Sequence, residues 1–466
     1  MNAAIDHTRP RAITRREALA AIGAAGLTAA TRPAAAAPAT RPARPPNVVL
    51  IFADDLGYAD LGCFGAERIK TPRLDRMAAQ GRRFTDFYVA SPVCTPSRAA
   101  LMTGCYPRRV GLARGVLFPH HDTGLNPDEV TVAELLKARG YATACIGKWH
   151  LGHRGPFLPT NQGFDTYFGI PYSNDMGGRG HGGKKGRPPL PLIRDTEVIE
   201  APADQTTLTR RYTEQAVRFI GEHKDEPFFL YLPHTMPHVP LFRSPEFAGR
   251  SGGGVYGDVI EEIDWSTGEI LDALKQHGVD DNTLVIFTSD NGPWLSKGDH
   301  GGSPGPLRGG KQSVWEGGMR VPCIVRWPGT VPAGTACDGV ATAMDVLPTL
   351  AALAGAELPA DRVIDGKVIT PLLRGDPGAA SPHKAFFYHT TGGELAAVRA
   401  GRWKLHLNSG ELYDLEDDIG EATDVAADHP DVVGRLRESA AAFDREVSRN
   451  SRPVGRAERG ANPAAE

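Results

Sequence analysis

Cysteine is scarce in this chain, with six in 466 residues, at positions 63, 94, 105, 145, 323 and 337. No two form a C-x-x-C pair or stand at zinc-finger spacing, which excludes a structural zinc module and a thioredoxin-like redox motif. Charge imbalance is small too. A formal net charge of -3 excludes a general electrostatic claim on nucleic acid or an anionic membrane, though it leaves room for a local anion site. Long apolar runs are missing: the Ala/Gly-rich run 20–30 is too short to span a bilayer as a helix, and no other segment reads as a membrane span. No internal repeat is present. Glycine and proline, by contrast, are plentiful at 54 and 38 residues, so much of the chain must be turns and shaped loops, where binding and catalytic groups concentrate.

Residues 1–45 read as standing outside the fold. Arg15-Arg16, the apolar run after them and an alanine-proline tract to Pro46 have the layout of a twin-arginine export signal and linker, which places the protein in the periplasm or outside the cell. A disordered basic tail is the plainer alternative. Twin-arginine substrates fold before export, so the cysteines are expected to be mostly reduced and buried.

Apolar, β-branched runs at 47–52, 141–146, 227–232, 283–288 and 323–327 predict buried strands. Helical patterns cover 71–81, 131–139, 207–223, 259–278 and 344–354. This alternation predicts an α/β domain over 46–378, a mostly parallel sheet flanked by helices. From 379 to 448 the pattern changes to short strands at 385–389, 396–399, 403–407 and 411–413, then a helix from Pro430 to about Val447. That predicts a smaller C-terminal α+β subdomain, an antiparallel sheet plus a helix. Residues 449–466 are expected to form a disordered tail, and the Gly/Pro-rich 177–189 stretch a mobile loop.

Each chemically loaded cluster follows the carboxyl end of a predicted strand, the edge where open α/β sheets bind ligands. Asp54 and Asp55 follow the first strand, Lys148 and His150 the second, His234 and His238 the third, Asp290 and Asn291 the fourth. Taken singly, an Asp-Asp pair is an N-cap or a solvated turn, and each lysine a surface charge. Together the carboxylates and the amide supply hard oxygen ligands, which suit calcium or magnesium and lean to calcium. Arg98, Lys148, His150, His238 and Lys311 would surround such a metal with cationic and proton-transferring groups, a pocket for a tetrahedral oxyanion ester. Cys94 opens a predicted helix, where unpaired N–H groups favour negative charge, with Arg98 one turn on. A small buried residue beside a surface arginine is the plainer account of that stretch.

Cys94-Thr95-Pro96-Ser97-Arg98 fits the C-x-P-x-R signature of the type I sulfatases, and the chain resembles that family over roughly residues 46–420. The blocks 47–57, 147–152, 289–292 and 307–322, and Leu412-Tyr413-Asp414-Leu415, match further family blocks in order. Gly169-Ile170-Pro171-Tyr172-Ser173-Asn174-Asp175 resembles the arylsulfatase A and N-acetylgalactosamine-6-sulfatase branch. The resemblance implies an alkaline-phosphatase-like fold and a sulfuric ester hydrolase. It implies that Cys94 is oxidised to formylglycine (3-oxoalanine) by a formylglycine-generating enzyme, and that one hydroxyl of the hydrated aldehyde attacks sulfur while the other later helps expel sulfate. It also implies Ca2+ held by Asp54, Asp55, Cys94, Asp290 and Asn291. Arg98 would steady the hydrate, Lys148 and Lys311 would bind sulfate oxygens, His150 would take the proton that collapses the hemiacetal, and His238 would assist the leaving oxygen. Ser173 matches a substrate contact, and His234 is at most a supporting residue. The family often carries arginine where Cys105 stands here. A sulfated carbohydrate or a small sulfate ester is the expected substrate, with no nucleic acid partner. A phosphate mono- or diester hydrolase of the same superfamily and a non-catalytic binder of sulfated glycan are the alternatives. The oligomeric state is not legible.

Overall fold

Asn47–Ala53 is buried at every position, as its unbroken apolar run requires, and lies near the middle of an eleven-stranded sheet. Val48, Leu50 and Phe52 join the core on one face, and Val49, Ile51 and Ala53 the core on the other, the period-two alternation of a strand covered on both sides. The computed structural model describes residues 44–178 and 186–458. In it Asn47–Ala53 pairs in parallel with Thr283–Ser289 and with Phe228–Pro233, and the latter with Ala142–Ile146, which pairs with Thr166–Gly169. Helices Pro72–Ala79, Leu208–Glu222 and Gly254–Gln276 cover one face, and Cys94–Thr103, Val132–Lys137 and Val346–Ala354 the other.

The sheet is parallel in its centre and mixed toward its edges. Arg320–Arg326 runs antiparallel to Thr283–Ser289 and to Arg82–Tyr88, and the hairpin Leu192–Arg194/Glu197–Glu200 closes the far edge. Sequence reading did not anticipate Arg82–Tyr88. Its polar Arg82, Arg83 and Thr85 are only half-buried, while Phe84, Phe87 and Tyr88 reach the core.

In the C-terminal part, strands Phe386–His389, Leu395–Ala400, Trp403–His406 and Leu412–Asp414 form the expected antiparallel sheet. Helix Pro430–Arg449 lays Val432, Leu436 and Ala440 against Val398, Leu405 and Leu412. This sheet has a small core of its own against the helix, while Phe386, Tyr388 and Ala397 join the core of the large sheet. All six cysteines are free, and all but the half-buried Cys63 are buried. No helix among the described residues is long and apolar enough to cross a membrane.

The expected disordered tail needs correction up to residue 458. Gly455–Arg456 pairs as a strand with Thr123–Gly124, and Ala457 N–H donates to Asp122 O at 2.8 Å. Arg452 reaches both oxygens of the buried Glu129, at 2.7 and 2.9 Å. A polar tail orders here because its hydrogen bonds and ion pairs are made with the body of the protein, which its own composition cannot reveal. Residues 459–466, like the proposed export signal within 1–43, lie outside the described residues. So do residues 179–185 of the 177–189 loop, whose ends are tied by Gly178 N–H to Pro188 O at 2.6 Å. Arg452→Ala leaves the buried Glu129 with only the longer contact to Arg362 at 3.5 Å, and should cost about 2 kcal/mol, read as a lower midpoint in denaturant with an unchanged m-value.

Candidate active site

Four strand ends and one helix start build the site. Helix Cys94–Thr103 begins after Val93, an extended residue (φ -149°, ψ 156°) that offers no side-chain cap, so Cys94 occupies the first helical position with free N–H groups around it. Every residue of this helix is buried. Arg98 is therefore no surface residue. Its Nε and one terminal nitrogen donate to Asp290 Oδ2 at 3.0 and 2.7 Å, and the other terminal nitrogen to Lys148 O at 2.9 Å.

Asp54 and Asp55 follow Asn47–Ala53. Lys148 Nζ lies 2.5 Å from Asp54 Oδ2 and 3.2 Å from Ser173 Oγ. Lys311 Nζ lies 2.7 Å from the Asp55 carboxylate and 4.0 Å from Cys94 Sγ. Asp290 Oδ1 accepts from Asp55 N–H at 3.0 Å, and Asn291 Nδ2 donates to Asp55 Oδ1 at 2.8 Å. Three carboxylates and three cations thus interleave, none more than 4% exposed. Ligand atoms of Asp54, Asp55, Cys94 and His238 lie within 4.8 Å of one another, a cluster able to hold a metal ion.

Backbone conformation marks the same place. Asp55 (φ 67°), His150 (φ 60°) and Gln312 (φ 72°), beside Lys311, adopt left-handed conformations, a costly arrangement for non-glycine residues that concentrates at functional sites. Gly147 (φ 137°), just before Lys148, is required as glycine: a Cβ there would stand 1.9 Å from Pro233 O.

The two histidines of the site present different atoms. His150 Nε2 lies 2.9 Å from Leu117 O, so Nε2 carries the proton, and Nδ1 is buried with no hydrogen-bond partner. Burial, with Lys148 and Arg98 close by, pushes His150 well below the usual histidine range, so the ring stays neutral. His238 Nδ1 faces two acceptors, Val239 O at 2.6 Å and Asn174 Oδ1 at 3.0 Å, and so carries the proton; Nε2 lies 3.2 Å from Ser173 Oγ. Burial and Lys311 lower its pKa to about 3. Burial also pushes the Cys94 thiol up to about 11, although Lys148 and Lys311 oppose the shift.

All the residues singled out from sequence meet at this edge except His234, whose Nε2 points to Ser266 Oγ at 3.4 Å. Sequence reasoning missed Asn174, which orients His238, and Trp294, which touches both His238 and Lys311. Trp294 follows the Asp290-Asn291 pair by only three residues, a signal that was available.

An α/β sheet whose carboxyl edge gathers acidic oxygens, buried cations and two neutral histidines defines a hydrolase of oxyanion esters. Similarity to known proteins narrows that class. Residues 46–356 match the family model described as Sulfatase, and residues 310–442 the model described as N-sulphoglucosamine sulphohydrolase, C-terminal. Arylsulfatase A of Homo sapiens is 46% identical over 383 residues, covering 78% of this chain and 75% of its own. N-acetylgalactosamine-6-sulfatase of Canis lupus familiaris is 42% identical over 407 residues, covering 83% and 74%. Among solved structures, Ps i-CgsB in complex with k-i-k-neocarrahexaose is similar at a TM-score of 0.77 and 32% identity, covering 89% of this chain and 96% of that one. The chain belongs to the sulfatase family, on the type I branch, and is a sulfuric ester hydrolase.

Proposed function

We propose that this enzyme hydrolyses the sulfate ester of a sulfated saccharide, using a formylglycine made from Cys94 and a bound calcium ion. The observation that carries the reading is the charge pattern. Asp54, Asp55 and Asp290 cancel Arg98, Lys148 and Lys311, and a divalent cation would leave the pocket two positive charges. That suits a sulfate ester anion, and suits the doubly charged sulfate product still better, so the pocket favours charge as it develops.

The residues present fit calcium. Asp54 Oδ1 and Asn291 Oδ1 are buried without hydrogen-bond partners, and with Asp55 and Asp290 they form the hard-oxygen donor set that calcium prefers. Those four and the oxidised Cys94 would hold the ion, which when bound polarises a sulfate oxygen. Oxidation by a formylglycine-generating enzyme supplies a hydrated aldehyde as nucleophile in place of a thiol that burial keeps protonated.

The remaining roles fall to the protein's own groups. Arg98, fixed by Asp290, steadies the side chain of residue 94 from one turn away. Lys148 and Lys311 bind sulfate oxygens. His150 Nδ1, bare and neutral, accepts the proton that leaves residue 94 when the aldehyde is regenerated. His238 takes up a proton at Nε2 as the bound anion raises its pKa, and delivers it to the leaving oxygen, with Ser173 beside it. A saccharide substrate agrees with the name of the canine relative and the oligosaccharide bound to Ps i-CgsB. The twin-arginine segment would place the enzyme in the periplasm or outside the cell.

Parallel rates on 4-nitrophenyl sulfate and 4-nitrophenyl phosphate test the reaction class. The sulfate should be turned over faster by at least about tenfold, and a calcium chelator should suppress it. A faster phosphate ester would move the protein to the phosphate mono- or diester hydrolases.

A further inference from the structure

Trp294 stands beside His238, the residue proposed to protonate the leaving oxygen, and no step above uses it. Its half-buried ring lies 5.5 Å from the ring of His238, and Lys311 Nζ lies 4.3 Å from its centroid. It is joined to the catalytic edge through its neighbour, since Lys311 N–H donates to Pro293 O at 2.8 Å. The next residue, Leu295, is 44% exposed, one of few large apolar side chains so placed among the described residues. The exposed Lys297 sets its Nζ 4.3 Å from the same indole.

We infer that Trp294, Leu295 and Lys297 form a leaving-group subsite that stacks a pyranose ring bearing a second anionic group, a carboxylate or a further sulfate. The inference rests on the sulfatase reading of the neighbouring pocket. An indole beside the group that protonates the leaving oxygen receives the apolar face of the ring attached to that oxygen. An exposed lysine resting on an aromatic face is held weakly, so Lys297 swings aside at little cost and pairs with the charge of the incoming sugar. A neutral aryl leaving group would use the plate but not the lysine. The charged rim therefore points to a polyanionic saccharide.

The test uses aldehyde-bearing enzyme with 4-nitrophenyl sulfate as reporter substrate. Chondroitin 6-sulfate, heparin and carrageenan oligosaccharides serve as competitors. At least one should compete, with an inhibition constant that weakens tenfold or more in Trp294→Ala. The exposed substitution Lys297→Glu, which leaves the plate intact and does not threaten folding, should weaken the same competitor at least threefold at low salt, with the effect shrinking as salt rises. If no oligosaccharide competes, or if both variants leave the inhibition constants unchanged, the subsite is wrong. The same holds if Lys297→Glu raises the KM for 4-nitrophenyl sulfate as much as it weakens the competitor, since the lysine would then be indifferent to the charge of the sugar. If the wild-type aldehyde-bearing enzyme fails to turn over the reporter, the underlying sulfatase reading falls instead.

Discussion

Cys94→Ala should lower kcat/KM for any sulfate ester by about 10^4-fold or more, because the proposed nucleophile is lost while the charged pocket stays. The structure separates this from a folding defect. Residue 94 is the first residue of a helix whose buried partners, Leu101 and Met102, lie two turns further on. The neighbouring cations stay paired with carboxylates: Lys148 with Asp54, Lys311 with Asp55 and Arg98 with Asp290. Losing one sulfur atom from this position costs on the order of 1 kcal/mol. Circular dichroism should therefore show a native spectrum and only a small shift in Tm, and inorganic sulfate should still bind by calorimetry. Substantial turnover by this variant would sink the mechanism.

Lys404→Met should be the most damaging change away from the pocket, at about 3–5 kcal/mol. Lys404 lies on Trp403–His406 and is fully buried. Its Nζ is 2.9 Å from Glu316, 2.8 Å from Glu421 and 2.9 Å from Val314 O. Methionine fills similar volume but leaves two buried carboxylates short of their shared cation. The consequence reaches the active site. Glu421 accepts from Glu316 N–H at 2.7 Å, and Gly317 N–H donates to Arg308 O at 2.8 Å, which closes the segment that carries Lys311.

The pH dependence has a definite sign. Burial alone would raise Glu316, but Lys404, Arg320 and Arg399 outweigh it and hold its pKa at about 2, below the ordinary glutamate value of 4.5. Its stabilising contribution is present above that ordinary value and is lost as pH falls toward 2. Without Lys404 the folded pKa rises. The gap in stability between variant and wild type should then be widest near neutral pH and narrow on acidification. Urea titrations of both proteins across that range provide the check; a gap that widens toward acid would contradict the pairing.

The central sheet was legible because a parallel strand covered on both faces must be a continuous apolar run, and Asn47–Ala53 and Thr283–Ser289 are such runs. The placement of the candidate site was legible for a related reason: polar residues directly after those runs have to sit at the carboxyl edge. Arg82–Tyr88 was hidden by its arginines, and the antiparallel course of Arg320–Arg326 by the fact that its burial is uniform in either direction. The choice of His238 over His234 came from family resemblance; in space it reflects which ring faces Ser173 and which faces Ser266. Asn174 stood in the 169–175 block without a role because its partner His238 is distant in sequence, and the tail through Ala457 likewise pairs with residues far away.

The formylglycine mechanism is tested most directly by the mass of the peptide that carries Cys94, taken from protein made with a formylglycine-generating enzyme and without it, and compared with turnover of 4-nitrophenyl sulfate by the same samples. A formylglycine nucleophile requires a peptide in which the thiol has been replaced by an aldehyde, and activity that rises in proportion to the fraction converted. Full activity in a sample whose Cys94 is wholly an unmodified thiol would contradict it.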